Sequence, residues 1–177
     1  MASPDGDGAP VGRPRETPTG SGRPIADEMT AMLDGRFPGL VGMRILEASA
    51  SEVTGELRVR EELLAPNGYL HAATVVALAD TVCGVGARLA LPAEASGFTT
   101  LELKTNYLGT ARSGTVTVDA TLVHSGRRTQ LWDATVRDGA GRAIALFRCT
   151  QMVLYPSAPQ QHSTSRSEHS NTETEQA

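Results

Sequence analysis

The sequence predicts an α+β fold in which an antiparallel sheet of about six strands curls around one long central helix. Three observations predict it. The first is the apolar run LHAATVVALADTVCGVGARLAL from Leu70 to Leu91, broken midway by a single acid, Asp80. The second is a period-two alternation of apolar and polar residues on both sides of that run, the mark of strands with one face on a core and one in water. The third is the set of turn pairs Ser113-Gly114, Ser125-Gly126 and Asp138-Gly139, placed as hairpin turns between the later strands.

Of the 177 residues, positions 1–23 and 157–177 carry almost no large apolar side chains. Neither end can offset the entropy of ordering, so both are expected to be disordered tails around one domain at 24–156. The N-terminus lacks an apolar h-region and is not read as a secretory signal. Pro24 to Leu33 reads as a short leading helix and Val41 to Ala48 as the opening strand. Val53, Gly55, Leu57 and Val59 alternate with Thr54, Glu56, Arg58 and Arg60 to give a second strand. Pro66-Asn67-Gly68 is a turn that delivers the chain to the helix.

The run from Leu70 would make a helix about 33 Å long, enough to cross a bilayer. A span would put Asp80 near the midplane at high cost, the composition favours Ala and Gly over Leu and Ile, and no basic cluster flanks it. A core helix is the better reading, with no membrane partner. After it, Leu101, Leu103, Thr105 and Tyr107 alternate with Glu102, Lys104 and Asn106. Val116, Val118, Ala120 and Leu122 alternate with Thr115, Thr117, Asp119 and Thr121. Gln130 to Val136 and Ala143 to Leu154 complete four strands, expected as a meander. One sheet cannot enclose a helix, and its edges need cover. Self-association as a homodimer or a dimer of dimers follows.

Composition excludes several classes. A net charge of −4 with no basic stripe argues against nucleic acid. No glycine-rich phosphate loop and no His/Cys cluster of metal spacing is present, so neither metal nor bound cofactor is expected. Cys83 and Cys149 stand alone in apolar segments, as buried free thiols of a cytoplasmic protein do.

Asp80 carries the chemistry. A carboxylate among Ala, Val, Leu and Gly loses hydration, and is kept for chemistry or for a specific buried partner. His71 opens the same helix. The step from 71 to 80, at about 100° per residue, turns about 900° and rises about 13 Å, so the two side chains leave on opposite faces. If they cooperate, the acid of one chain meets the helix start of another, and a two-fold dimer holds two such sites. Unpaired N–H groups at a helix start suit an oxygen gaining negative charge. Here Ala72 and Ala73 would present them, while Asp80 activates a water or attacks directly. Those parts suit hydrolysis of an activated acyl group, with a thioester as the natural candidate.

The residues Asn67-Gly68-x-x-His71-Ala72-Ala73, followed by Leu78-Ala79-Asp80-Thr81, resemble the G-x-x-H-G-G … L-A-D/E signature of hotdog-fold thioesterases. The nearest type is the phenylacetic-acid-pathway (PaaI-like) acyl-CoA thioesterases. Thr100 to Leu108, Gly126-Arg127-Arg128-Thr129 and Val136-Arg137-Asp138 with Gly141-Arg142 extend the likeness over about Val41 to Leu154. The resemblance implies an acyl-CoA thioester as substrate and no resident cofactor. It puts Asp80 at the catalytic carboxylate, the Ala72 N–H on the thioester carbonyl, and His71 at the motif His that orients loop or substrate. Gly68, Ala73, Thr81 and Tyr107 then fall around the substrate, and Arg127 and Arg128 suit the coenzyme A phosphates.

Three departures bear on substrate choice. The Gly-Gly pair is Ala72-Ala73. An amide six residues before the His is replaced by Ala65, with Asn67 four before it. A hydroxyl found four residues after the acid is Gly84.

Each assignment has a plainer rival. Asp80 would be a structural acceptor, His71 a helix cap, Arg127 and Arg128 a solvated hairpin turn, and Tyr107 a core residue. At the level of the whole protein, the alternatives are a non-catalytic acyl-thioester binding protein on the same fold, or a hotdog dehydratase or hydratase. The latter lacks here its His-rich, Pro-Gly loop.

Overall fold

The computed structural model describes residues 23–156. The expected tails lie outside the described residues, save Arg23, which opens the first helix. The elements are α1 (Arg23–Leu33), α2 (Phe37–Leu40), β1 (Met43–Ala48), β2 (Glu52–Arg58), α3 (Ala72–Leu89), β3 (Gly97–Tyr107), β4 (Thr115–Ser125), β5 (Thr129–Arg137) and β6 (Ala143–Leu154). One short helix, α2, and one 3-10 turn at Glu61–Leu63 were not anticipated. The strands form a single six-stranded sheet, antiparallel throughout, in the order β1-β2-β4-β5-β6-β3.

That order corrects the expected four-strand meander. Only β4, β5 and β6 follow one another, while β3 crosses to the far edge and pairs with β6. The inner rows explain the exchange. Val116, Val118 and Ala120 of β4 stand opposite Leu57, Gly55 and Val53 of β2, and the valines, Leu57 and Ala120 are buried against the helix. A strand whose inner row is wholly apolar belongs in the middle. β3 offers Thr100, Leu103, Thr105 and Tyr107 instead, a mixed row that suits an edge. Alternation reveals a strand's faces but not its neighbour.

α3 lies in the concave face of the sheet. It is free of Pro, and its buried positions Val75, Leu78, Ala79, Val82, Cys83 and Gly86 form the contact stripe. The closest approach is at Gly86, where an added Cβ would come within 2.4 Å of the Trp132 ring. Trp132 on β5 is fully buried, and its indole Nε1–H donates to Gln130 Oε1 at 3.0 Å. Gln130 Nε2 then donates to the carbonyls of Ala87 (3.4 Å) and Ala90 (3.1 Å), acceptors that the end of a helix leaves open. Among the described residues α3 is the one helix long and apolar enough to cross a membrane, and strands of the sheet pack along it.

The two sheet edges differ. At β1, Thr30 of α1 accepts from the Ile45 N–H (3.0 Å) and donates to its carbonyl (3.2 Å), so a helix covers part of that edge. At β3, eleven residues long, nothing among the described residues pairs with the outer side. Leu101, Leu103, Tyr107 and Leu108 are exposed there.

Candidate active site

The helix start is built by a small closed loop. Gly68 N–H donates to the Ala65 carbonyl (2.8 Å) and Ala65 N–H to the Tyr69 carbonyl (2.7 Å), with Gly68 at φ 77°, a value that L side chains rarely adopt. Asn67 Oδ1 accepts from the Tyr69 N–H at 3.2 Å, and the Arg112 guanidinium lies 4.1 Å from the Tyr69 ring centre. The His71 N–H is fixed on the Leu63 carbonyl at 2.9 Å. Asn67 and Gly68 therefore shape the loop that aims α3.

His71 is the N-cap of α3, and its Nδ1 accepts from the Ala73 N–H at 3.0 Å. An imidazole acceptor thus takes one of the helix's open donors, as Ser or Asp does more commonly. Thr74 N–H goes to the His71 carbonyl at 2.9 Å. Of the two N–H groups expected at the site, the one on Ala73 is already bonded, and the one on Ala72 has no partner among the described residues. Ala72 is itself exposed. The Tyr107 hydroxyl donates to the Ala72 carbonyl at 3.0 Å, tying β3 to the helix start.

Asp80 sits two turns further on, about 12 Å along the axis from Ala72. It lies on the side of α3 that the sheet leaves open, in line with Ala73, Ala77, Thr81 and Gly84, all of which keep some exposure. Beside this stripe stands the inner row of β3, with the Phe98 ring 3.7 Å from where a Cβ on Gly84 would sit. Asp80 Oδ1 is buried without a hydrogen-bond partner, and so is Thr105 Oγ1 on β3. Burial pushes the Asp80 carboxyl above the ordinary aspartate range, while the Thr100 hydroxyl beside it acts in the other direction.

Within one chain the expected residues do not converge. His71, Ala72, Ala73, Tyr107 and the loop of Asn67 and Gly68 cluster at the start of α3. Asp80 and Thr81 lie midway. Arg127 and Arg128, both exposed, lie in the β4–β5 turn by the other end of the helix. A cavity of about 580 Å³ beside Arg127 is lined by Pro92, Glu94, Ser125, Gly126 and Tyr155. Among the described residues no three His, Cys, Asp or Glu side chains gather where a metal ion would sit.

Sequence reasoning passed over two linked polar residues. Thr100 of β3 stands beside Asp80, and Gln151 of β6, fully buried, accepts from its hydroxyl at 3.0 Å. Gln151 had left a signal, because it shares the inward phase of Cys149 and Val153. A polar residue in an apolar row asks for a partner.

Comparisons with known proteins bear on the family and the fold. The family model described as the thioesterase superfamily matches residues 67–145. A 1,4-dihydroxy-2-naphthoyl-CoA hydrolase of Listeria monocytogenes is 30% identical over 110 residues, covering 62% of this chain and 89% of that one. The protein of the same name from Escherichia coli is 27% identical over 128 residues, 72% of this chain and 93% of that one. Among solved structures, a mutant thioesterase of Pseudomonas aeruginosa superposes with a TM-score of 0.71 at 27% identity, covering 80% of this chain and 98% of that one.

Proposed function

This chain belongs to the thioesterase superfamily, with its hotdog fold, and from that membership we propose that it hydrolyses an aromatic acyl-CoA thioester to the free acid and coenzyme A. The observation that carries the proposal is Asp80, a carboxyl desolvated on the open face of α3 with one oxygen unpartnered. Two of the relatives are named for the CoA thioester of a naphthoic acid, and the motif at 67–81 resembles the PaaI-like type. Ala77 and Gly84 bring only small groups to the face that carries Asp80, where the Phe98 ring lies 3.7 Å from the place of a Gly84 Cβ.

In this reading two chains associate across the bare β3 edges and apolar side chains. The Asp80 of one chain then faces the Ala72 N–H of the other. The carbonyl oxygen rests on the Ala72 N–H, whose partial positive charge grows in value as the oxygen becomes an oxyanion. Asp80 takes a proton from the attacking water and returns it to the departing thiolate. Direct attack by Asp80, through a mixed anhydride, uses the same placement. His71 keeps the helix start in register, and Arg127 and Arg128 bind the nucleotide phosphates. The setting is the cytoplasm, where the buried Cys83 and Cys149 remain free thiols.

A panel of aromatic and aliphatic acyl-CoAs, assayed by free-thiol release, tests the proposal. Aromatic substrates should turn over fastest, and Asp80→Asn should cut turnover by at least about 10²-fold, the usual scale for a general base. A folded Asp80→Asn protein with near-normal rates would remove this mechanism and favour an acyl-thioester binding protein.

A further inference from the structure

The ladder between β3 and β6 slips once. Thr100 stands opposite Gln151 and Glu102 opposite Thr150, so Leu101 is an extra residue in a bulge. Beyond it Leu103, Thr105 and Tyr107 oppose Cys149, Phe147 and Ala145, and these three partners on β6 are buried on the helix side. Had the alternation run unbroken, Thr100 would face away from α3 with Glu102 and Lys104. The bulge turns it inward, as bulges re-aim side chains elsewhere, and sets its hydroxyl beside Asp80.

A threonine hydroxyl has one proton to give and can accept from others. Two acceptors compete for that proton. Gln151 Oε1 holds it at 3.0 Å, while Asp80 Oδ1 is buried and unpartnered. Gln151 is 0% exposed and donates its Nε2–H to Cys149 Sγ at 3.4 Å, so the anchor of the Thr100 hydroxyl is itself fixed. We propose that Thr100 is a positioning residue for Asp80, its hydroxyl turning its single proton from Gln151 Oε1 to Asp80 Oδ1 when the carboxyl ionises. Thr100 then donates to one carboxylate oxygen and leaves the other for water. When Asp80 is protonated, the hydroxyl proton returns to Gln151. No bond other than hydrogen bonds changes.

The other titratable groups around this spot are Cys83 of α3 and Cys149 of β6, both of which feel the Asp80 charge, with Asp133 of β5 acting on Cys83 and Glu102 of β3 on Cys149. None of these is a cation. Of the hydroxyls on the inner row of β3, the one on Thr100 acts on the Asp80 carboxyl and favours its charged form.

The inference rests on Asp80 as the proposed base, but its primary test does not. Aspartate labelled with 13C at Cγ is incorporated into the full chain, and the Asp80 resonance is assigned by its absence in Asp80→Asn. Its titration is followed in the native protein, Thr100→Val and Thr100→Ser, with the acid limb of kcat/KM measured alongside. Thr100→Val keeps shape and strand preference but deletes the donor, so the Asp80 pKa should rise by about one unit, the scale of a charge-assisted hydrogen bond. Thr100→Ser should restore the native titration. A native titration in folded Thr100→Val overturns the proposal. So does an equal rise in both variants, because packing rather than the hydroxyl would then be the cause. If the Asp80 resonance shifts but the acid limb of kcat/KM stays still, Thr100 positions Asp80 and the base role of Asp80 fails.

Discussion

At the scale of single residues, Asp80 is a place where stability and chemistry pull apart. Its folded pKa lies above the ordinary value of 3.8 because burial disfavours the charged form. The folded protein thus holds this proton more tightly than the unfolded chain does. The resulting stability is present below about pH 3.8 and is lost as pH rises through the folded value. Once ionised, the carboxylate is a net cost to folding, carried for another purpose. Asp80→Asn should therefore melt higher than the native protein at neutral pH, with the gain vanishing below the ordinary aspartate range. Melting curves at the two pH values check this. A lower melting temperature at neutral pH would mean that Asp80 is a structural acceptor.

The position of Asp80 was legible from sequence because one acid in a long apolar run is conspicuous. His71 was legible only as a pair of alternatives, cap or orienting group. Its Nδ1 contact with the Ala73 N–H, which makes it the cap, depends on a ring rotamer that no spacing records. Thr100 was hidden by the bulge, which changes which face it occupies without leaving a trace in the alternation.

At the scale of elements, the helix and the sheet fit through a few close approaches. α3 was readable because its run was uniform, and β4 because apolar and polar residues alternate from Thr115 to Leu122. The neighbours of β3 were not readable, since register between distant strands is set by which inner rows pack together on the helix. The bond chain from Trp132 through Gln130 to the carbonyls of Ala87 and Ala90 holds the far end of α3, and Gly86 makes room for the indole. A methyl at Gly86 meets the ring at 2.4 Å, and both groups lie in a packed core without space to yield. Gly86→Ala should cost about 1–3 kcal/mol, the range for overpacking, despite alanine's better helix propensity. Denaturant unfolding measures it. A neutral or stabilising result would show that the sheet and helix are less tightly seated than these contacts imply.

At the scale of the whole molecule, one chain is an unfinished object. Its sheet wraps α3 on one side, leaves the stripe of Ala73, Ala77 and Asp80 partly exposed on the other and has a long bare edge at β3. A second copy was an expectation from sequence, because a six-stranded sheet cannot close around a helix, and the proposed dimer adopts it. Which edge stays bare could not, since the cover that α1 gives β1 through Thr30 is a tertiary contact. The same incompleteness runs through the site, where the free Ala72 N–H and the Asp80 carboxyl lie about 12 Å apart along one helix and point to different neighbours.

That separation makes a subunit-mixing experiment the most direct test of a shared thioesterase site. One partner carries Asp80→Asn. The other carries Ala72→Pro, which removes the proposed N–H donor, and the first helical position tolerates proline well. His71 before it already has φ −61° and ψ 134°, the extended geometry that a following proline requires. Each parent should be nearly inactive on acyl-CoA. In purified heterodimers one of the two sites joins the intact acid of one chain to the intact donor of the other, so activity should return to about half of the native dimer. Folded, verified heterodimers as inactive as their parents would contradict the shared site.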